Sequence, residues 1–383
     1  MTASIIGTVV TADGVLEGHR IDYDATGVIT AIVPAPDGKL DDELIILPGL
    51  ADIHNHGGAG ESFPTSGIEG CVTAARHHRA HGSTTLLAST VSMREEVLLP
   101  QLSLLSELAS DGEITGIHAE GPFVNSCRCG AQDPAAIIGG DPELFAKMIK
   151  ASRGFLRSMT FAPETPHARK LVDMCAEHNV VVSLGHTDAD FELTMEMIRY
   201  AEERGAVVTA THLFNAMPPV HHRAPGPVAA FMSAAARSLA HVELIADGVH
   251  LDDHTVSMVL DSVGSENVTF VSDAMGAAGK ADGDYILGAL AVTVIDGVAR
   301  LSTEDGSQGA IAGGTSRVID QVRRQVAAGH SVVDVVRAST SGHRLLGLND
   351  RGDIAVGKKA NFVVCRNDFD VVAVYENGQK LDF

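Results

Sequence analysis

From Leu44 onward the chain alternates between short apolar runs and helix-period stretches, and this repetition limits the fold more than any other feature. The run at 44–47 breaks at Pro48-Gly49 and resumes as Leu50-Ala51-Asp52-Ile53, the first strand of the series. Further strands are predicted at 83–90, 114–122, 159–164, 180–187, 206–214, 242–250 and 267–275. Helical stretches fall between or after them at 69–81, 95–109, 142–152, 167–179, 189–204, 252–263, 315–328 and 332–341. Strands alternating with helices form parallel sheets, and eight such units predict a (β/α)₈ TIM barrel, an α/β fold. A hairpin is expected at 285–302, where Asp296-Gly297 separates two Val-rich runs.

The two chain ends have a different texture. Short strands are expected at 4–10 and within 20–33, ahead of the turn cluster Pro34-Ala35-Pro36-Asp37-Gly38. Strand character returns at 360–365 and 371–375. The simplest account pairs the ends, 1–48 with 349–383, into a small β-sandwich domain beside a barrel of 49–348.

With 383 residues and no Trp, the core must be built from Ala, Val, Leu and Ile. The formal net charge of −21 excludes a nucleic-acid partner, which needs a basic face. An anionic ligand would therefore need a local positive pocket. The start of the chain lacks the features of a signal peptide, and no apolar run is long enough to span a membrane. Five irregularly spaced cysteines read as reduced thiols in a cytoplasmic protein. Cys127-Arg128-Cys129 has no usual zinc spacing and reads as a loop detail open to oxidation.

Barrel active sites form where the strands end. The expected ends carry His54 and His56, His118 and Glu120, His186, His212, Asp247 and His250, and Asp273. Alternate residues of an extended segment share a face, so His54 and His56 point the same way. His54, His56, Glu120, His186 and His212 are all donors that zinc accepts, enough for one divalent ion or two. Asp273, between a buried run and a loop of small residues, is the expected proton carrier.

The motifs PGLADIHNHG, HAEGP, GHT, THLFNAM, IADGVH and SDA, in this order, resemble the amidohydrolase superfamily and, within it, the N-acetylglucosamine-6-phosphate deacetylase family. The likeness implies hydrolysis of the N-acetyl group of a 6-phosphorylated amino sugar, a step of amino-sugar catabolism and cell-wall sugar recycling. It implies that Glu120, His186 and His212 hold one divalent metal ion, most simply Zn²⁺, and that Asp273 is the acid and base. The retained His54 and His56 make a second ion plausible. Arg223 and His250, with Asn215 and Ala216, are implied to meet the phosphate, and Ala131, Gln132, Ile311, Ala312 and Gly313 to line the sugar site. In that family the arginine and the histidine can come from a neighbouring subunit, which implies a homodimer. One departure is Gln132, where the family carries a histidine that polarises the acetyl carbonyl; a glutamine donates a hydrogen bond but carries no proton.

Two rival readings remain at this level. A dihydroorotase- or hydantoinase-like enzyme would use a modified lysine at the end of strand four, and 159–164 contains none. A metal-free barrel serving as a scaffold would not need the full ligand set with Asp273.

Overall fold

The computed structural model describes residues 3–36, 44–303 and 307–382. Eight parallel strands form one sheet: Leu50–Asp52, Ser83–Thr90, Gly116–Glu120, Leu156–Phe161, Val181–Leu184, Val208–Ala210, His241–Leu244 and Val268–Phe270. Each pairs with the next in sequence, so the sheet curls into a TIM-like barrel. Strands one and eight are not ladder partners. The ring closes just beyond their ends, where the Asp273 N–H donates to the His54 carbonyl (2.9 Å) and the His56 N–H to the Ala274 carbonyl (2.7 Å). The Asp52 carboxylate reinforces this seam by accepting from the Ser272 hydroxyl (2.6 Å) and the Asn55 amide (2.9 Å).

The helices cover the barrel because their apolar residues recur at helical spacing. On Glu95–Ser110, Leu98, Leu102 and Leu105 lie on one face and are fully buried. Each such leucine contributes roughly 1.5–3 kcal/mol. Asp141 caps Pro142–Ala151 by accepting from the Glu143 and Leu144 N–H groups, and Asp190 caps Phe191–Glu203. One helix, Gly226–Ala235, was not expected. Its sequence, GPVAAFMSAA, is apolar on nearly every side, so no amphipathic stripe marks it.

The chain ends pair, as expected, into a single seven-stranded sheet. Its order runs Gln379–Lys380, Val371–Glu376, Phe362–Arg366, Leu44–Pro48, Ala3–Thr11, Gly14–Tyr23, Ile29–Pro34. It has its own core of Val9, Ile21, Tyr23, Ile29, Ile46, Ile354, Ala360 and Phe362. Gly49 is the hand-over from this sheet to the barrel. A Cβ there would lie 2.2 Å from Thr84 Oγ1, so no larger residue fits without a shift. Asp37 and Gly38 of the expected turn cluster lie outside the described residues.

The expected hairpin is part of a three-stranded antiparallel sheet, Gly283–Leu287, Leu290–Ile295 and Val298–Leu301. The Asp296-Gly297 turn is where the sequence puts it, with both residues at positive φ (51° and 74°). The earlier turn at Gly288 adds the extra strand. Among the described residues, no helix is long and apolar enough to cross a membrane.

Candidate active site

Glu120 is the last residue of strand three, whereas the other site residues stand just past their strands. His54 and His56 follow strand one, His186 and His212 lie two residues beyond strands five and six, and Asp273 three beyond strand eight. His186, His212 and Asp273 adopt φ of 47°, 28° and 45°. Non-glycine residues enter this region at a cost of about 1–3 kcal/mol each, so these three positions carry backbone strain at the mouth of the barrel.

Glu120 is central. Its Oε1 lies 2.9 Å from His186 Nε2 and 3.0 Å from His212 Nε2, and its Oε2 lies 3.2 Å from His56 Nε2. His54 Nε2 is 3.1 Å from His56 Nε2, and His186 Nε2 is 3.1 Å from His212 Nε2. Two triads result, His54–His56–Glu120 and Glu120–His186–His212, each with its ligand atoms within 4.8 Å of one another. Facing imidazole nitrogens share at most one proton, so two such buried pairs around one carboxylate are poor packing and good ligation. Nitrogen and oxygen donors in this arrangement suit a divalent ion of the zinc type.

Asp273 faces the same centre, with Oδ1 3.1 Å from His56 Nε2 and 3.4 Å from His54 Nε2. The field favours positive charge. Burial pushes His54 and His56 down, but Asp273 and Glu120 outweigh it and raise both, His54 well above the usual range. Burial pushes Glu120 and Asp273 up, and the histidines hold both below the ordinary carboxylate value.

Not every histidine at the strand ends belongs to the ligand set. His118 is bonded at both ring nitrogens, to Ser89 Oγ (2.9 Å) and Thr160 Oγ1 (2.8 Å). It is a packed imidazole that supports His54 edge-on at a 4.4 Å centroid distance. His186 Nδ1 faces the Arg128 carbonyl at 2.8 Å, and His54 Nδ1 faces Glu243 Oε2 at 3.2 Å. Glu243 was not foreseen; its only signal in the sequence was an acidic residue inside the apolar run VELIA.

A cavity of about 240 Å³ opens onto the triads and Asp273. Ala131, Gln132, Asn215, Ala216, His250, Ile311 and Gly313 line it, joined by Leu287 and Ala310, which no motif announced. Ala312 is fully buried beside it. Gln132 is turned inward: its amide donates to Glu120 Oε2 and accepts the Ser92 N–H. His250 is held by Asp247 (2.9 Å); burial lowers its pKa, and the Asp247 carboxylate more than offsets that. Arg223 is not brought to the cavity within one chain. It sits on an exposed turn, its guanidinium 2.8 Å from His222 Nε2. Cys127 is exposed and Cys129 half-buried, both as free thiols.

The amidohydrolase family model matches residues 45–381. The N-acetylglucosamine-6-phosphate deacetylase of Bacillus subtilis (strain 168) is 31% identical over 95% of this chain and 93% of its own. An N-acetylgalactosamine-6-phosphate deacetylase of Escherichia coli O157:H7 is 30% identical over 97% of both. In three dimensions the chain is similar to a mutant N-acetyl-D-glucosamine-6-phosphate deacetylase from Mycobacterium smegmatis, solved in complex with N-acetyl-D-glucosamine-6-phosphate. That likeness has a TM-score of 0.91 at 34% identity and covers 99% of each chain.

Proposed function

This chain belongs to the amidohydrolase family and is an amide-bond hydrolase, and from that premise we propose that it deacetylates N-acetyl-D-glucosamine 6-phosphate to D-glucosamine 6-phosphate and acetate. The observation that carries this reading is the pair of triads sharing Glu120, with Asp273 facing the same cavity. Glu120, His186 and His212 would hold one divalent ion, zinc by donor type, and His54 and His56 with Glu120 a second. Bound there, such an ion supplies Lewis acidity, which acidifies a water and polarises the acetyl carbonyl.

The chain's own groups do the rest. Asp273, 3.1 Å from His56 and 3.4 Å from His54, accepts the proton of the attacking water and returns it to the departing amine. Gln132 offers only a neutral amide, so the carbonyl receives no proton from this side. Asn215, Ala216 and His250 would receive the phosphate. Arg223 would complete that site from a second subunit of a homodimer, its bidentate fork matching phosphate oxygens. Five free thiols fit the cytoplasm as the working compartment.

The test is an acetate-release assay on N-acetylglucosamine 6-phosphate, its galacto epimer and unphosphorylated N-acetylglucosamine, with metal content measured alongside. Metal-dependent release that is far faster with a phosphate is expected. Equal rates with and without the phosphate, or no release at all, would sink the proposal; the epimer decides the sugar range.

A further inference from the structure

Glu243 lies in strand seven, 1% exposed. Burying a carboxylate costs several kcal/mol unless it is well bonded. Among the described residues, no Lys or Arg forms an ion pair or hydrogen bond with its carboxylate. Its Oε2 faces His54 Nδ1 at 3.2 Å and the His212 N–H at 3.3 Å. Its Oε1 accepts from the Ser183 and Thr209 hydroxyls, both at 3.4 Å. The deacetylation chemistry described above has no use for this group, yet its shortest contact is to a ligand of the centre.

The partner of one imidazole nitrogen decides the state of the other. A carboxylate against Nδ1 keeps the proton there and leaves Nε2 as a lone pair aimed at His56 and Glu120. His186 receives the same service from a neutral carbonyl. His56 and His212 have no Nδ1 partner among the described residues. His54 is therefore the single ligand of the four oriented by a charged group. Two divalent ions also bring four positive charges into a buried space where Glu120 and Asp273 offset two; Glu243 offsets a third.

We propose that Glu243 is a positioning residue for His54 and thereby sets the affinity of the His54–His56–Glu120 position, so that it controls whether the protein works with one ion or two. The inference rests on the two-ion reading above. Chelator-treated wild type, Glu243→Ala and Glu243→Gln would be titrated with Co²⁺, following the visible spectrum and the bound stoichiometry. Wild type is expected to take two equivalents. In Glu243→Ala the first equivalent should bind as in wild type and the second about 10–100-fold more weakly. Glu243→Gln, matched in volume and still an acceptor for Nδ1–H, should recover part of that loss, and it carries the test if the alanine variant does not fold.

A wild type that takes a single equivalent overturns the two-ion reading and this inference together. Two equivalents at unchanged affinity in both variants overturn this inference alone. Equal weakening of both positions also overturns it, because it marks a merely structural role.

Discussion

In the proposed mechanism turnover depends on Asp273, which combines a left-handed backbone with two imidazole neighbours. Asp273→Asn should lower kcat by about 10²–10⁴-fold, the usual worth of a positioned acid and base, while metal content and substrate affinity persist. Near-normal kcat in that variant would remove the assigned role. At this scale the sequence was most informative about the candidate metal ligands, which the fold brings together. His54, His56, Glu120, His186 and His212 sit at strand ends, where chain order alone announces a barrel mouth. Glu243 was illegible because its meaning depends on strands one and seven flanking strand eight in the closed ring, and nothing local states that closure. Arg223 is legible only as a charge on a turn, and within the chain its guanidinium meets only His222 among the described residues.

Between residues and the whole lie the connections after the strands. Most helix bounds fell within two or three residues of expectation, because caps such as Asp141 and Asp190 are local signals. The strands were drawn too long at their C-terminal ends: 242–250 was expected and His241–Leu244 is found. Ile245 and Ala246 prolong the apolar run, but the backbone has already left the ladder to present Asp247 and His250. The connection after strand eight returns to flank Asp273. Gly314 N–H donates to the Asp273 carbonyl (2.6 Å), and a Cβ at Gly314 would lie 2.3 Å from the Ser272 carbonyl oxygen. Gly314→Ala should therefore displace Asp273 and cut kcat, by about 10²-fold for a shift near 1 Å, with ion content unchanged. Unaltered kcat would mean that the segment yields without moving the carboxylate.

At the level of the molecule, two outcomes follow from charge and assembly. Burial holds His343, His78 and His241 at about 4 and His77 at about 3. Such groups are neutral when folded, so the stability they support is complete above roughly pH 6.5 and declines as pH falls toward 4. His54 and His56 shift the opposite way, so the measurement is a difference. The urea midpoint of chelator-treated His343→Gln should fall less steeply than wild type between pH 7 and 4, and parallel curves would clear His343 of the effect. If Arg223 acts across a dimer, Arg223→Ala and Asp273→Asn subunits, each nearly inactive, should regain roughly a quarter of wild-type activity when mixed and exchanged. Absence of any recovery would confine Arg223 to its own subunit. The seam between strands one and eight has a consequence for biosynthesis. Asp52 and Ser272 are separated by 220 positions in the chain. A nascent polypeptide therefore emerges with its first histidine pair long before the Asp273 carboxylate has been translated. On the proposed mechanism, every truncated product that stops short of Asp273 is inert, and hydrolytic power arrives in one late event, when the circle shuts.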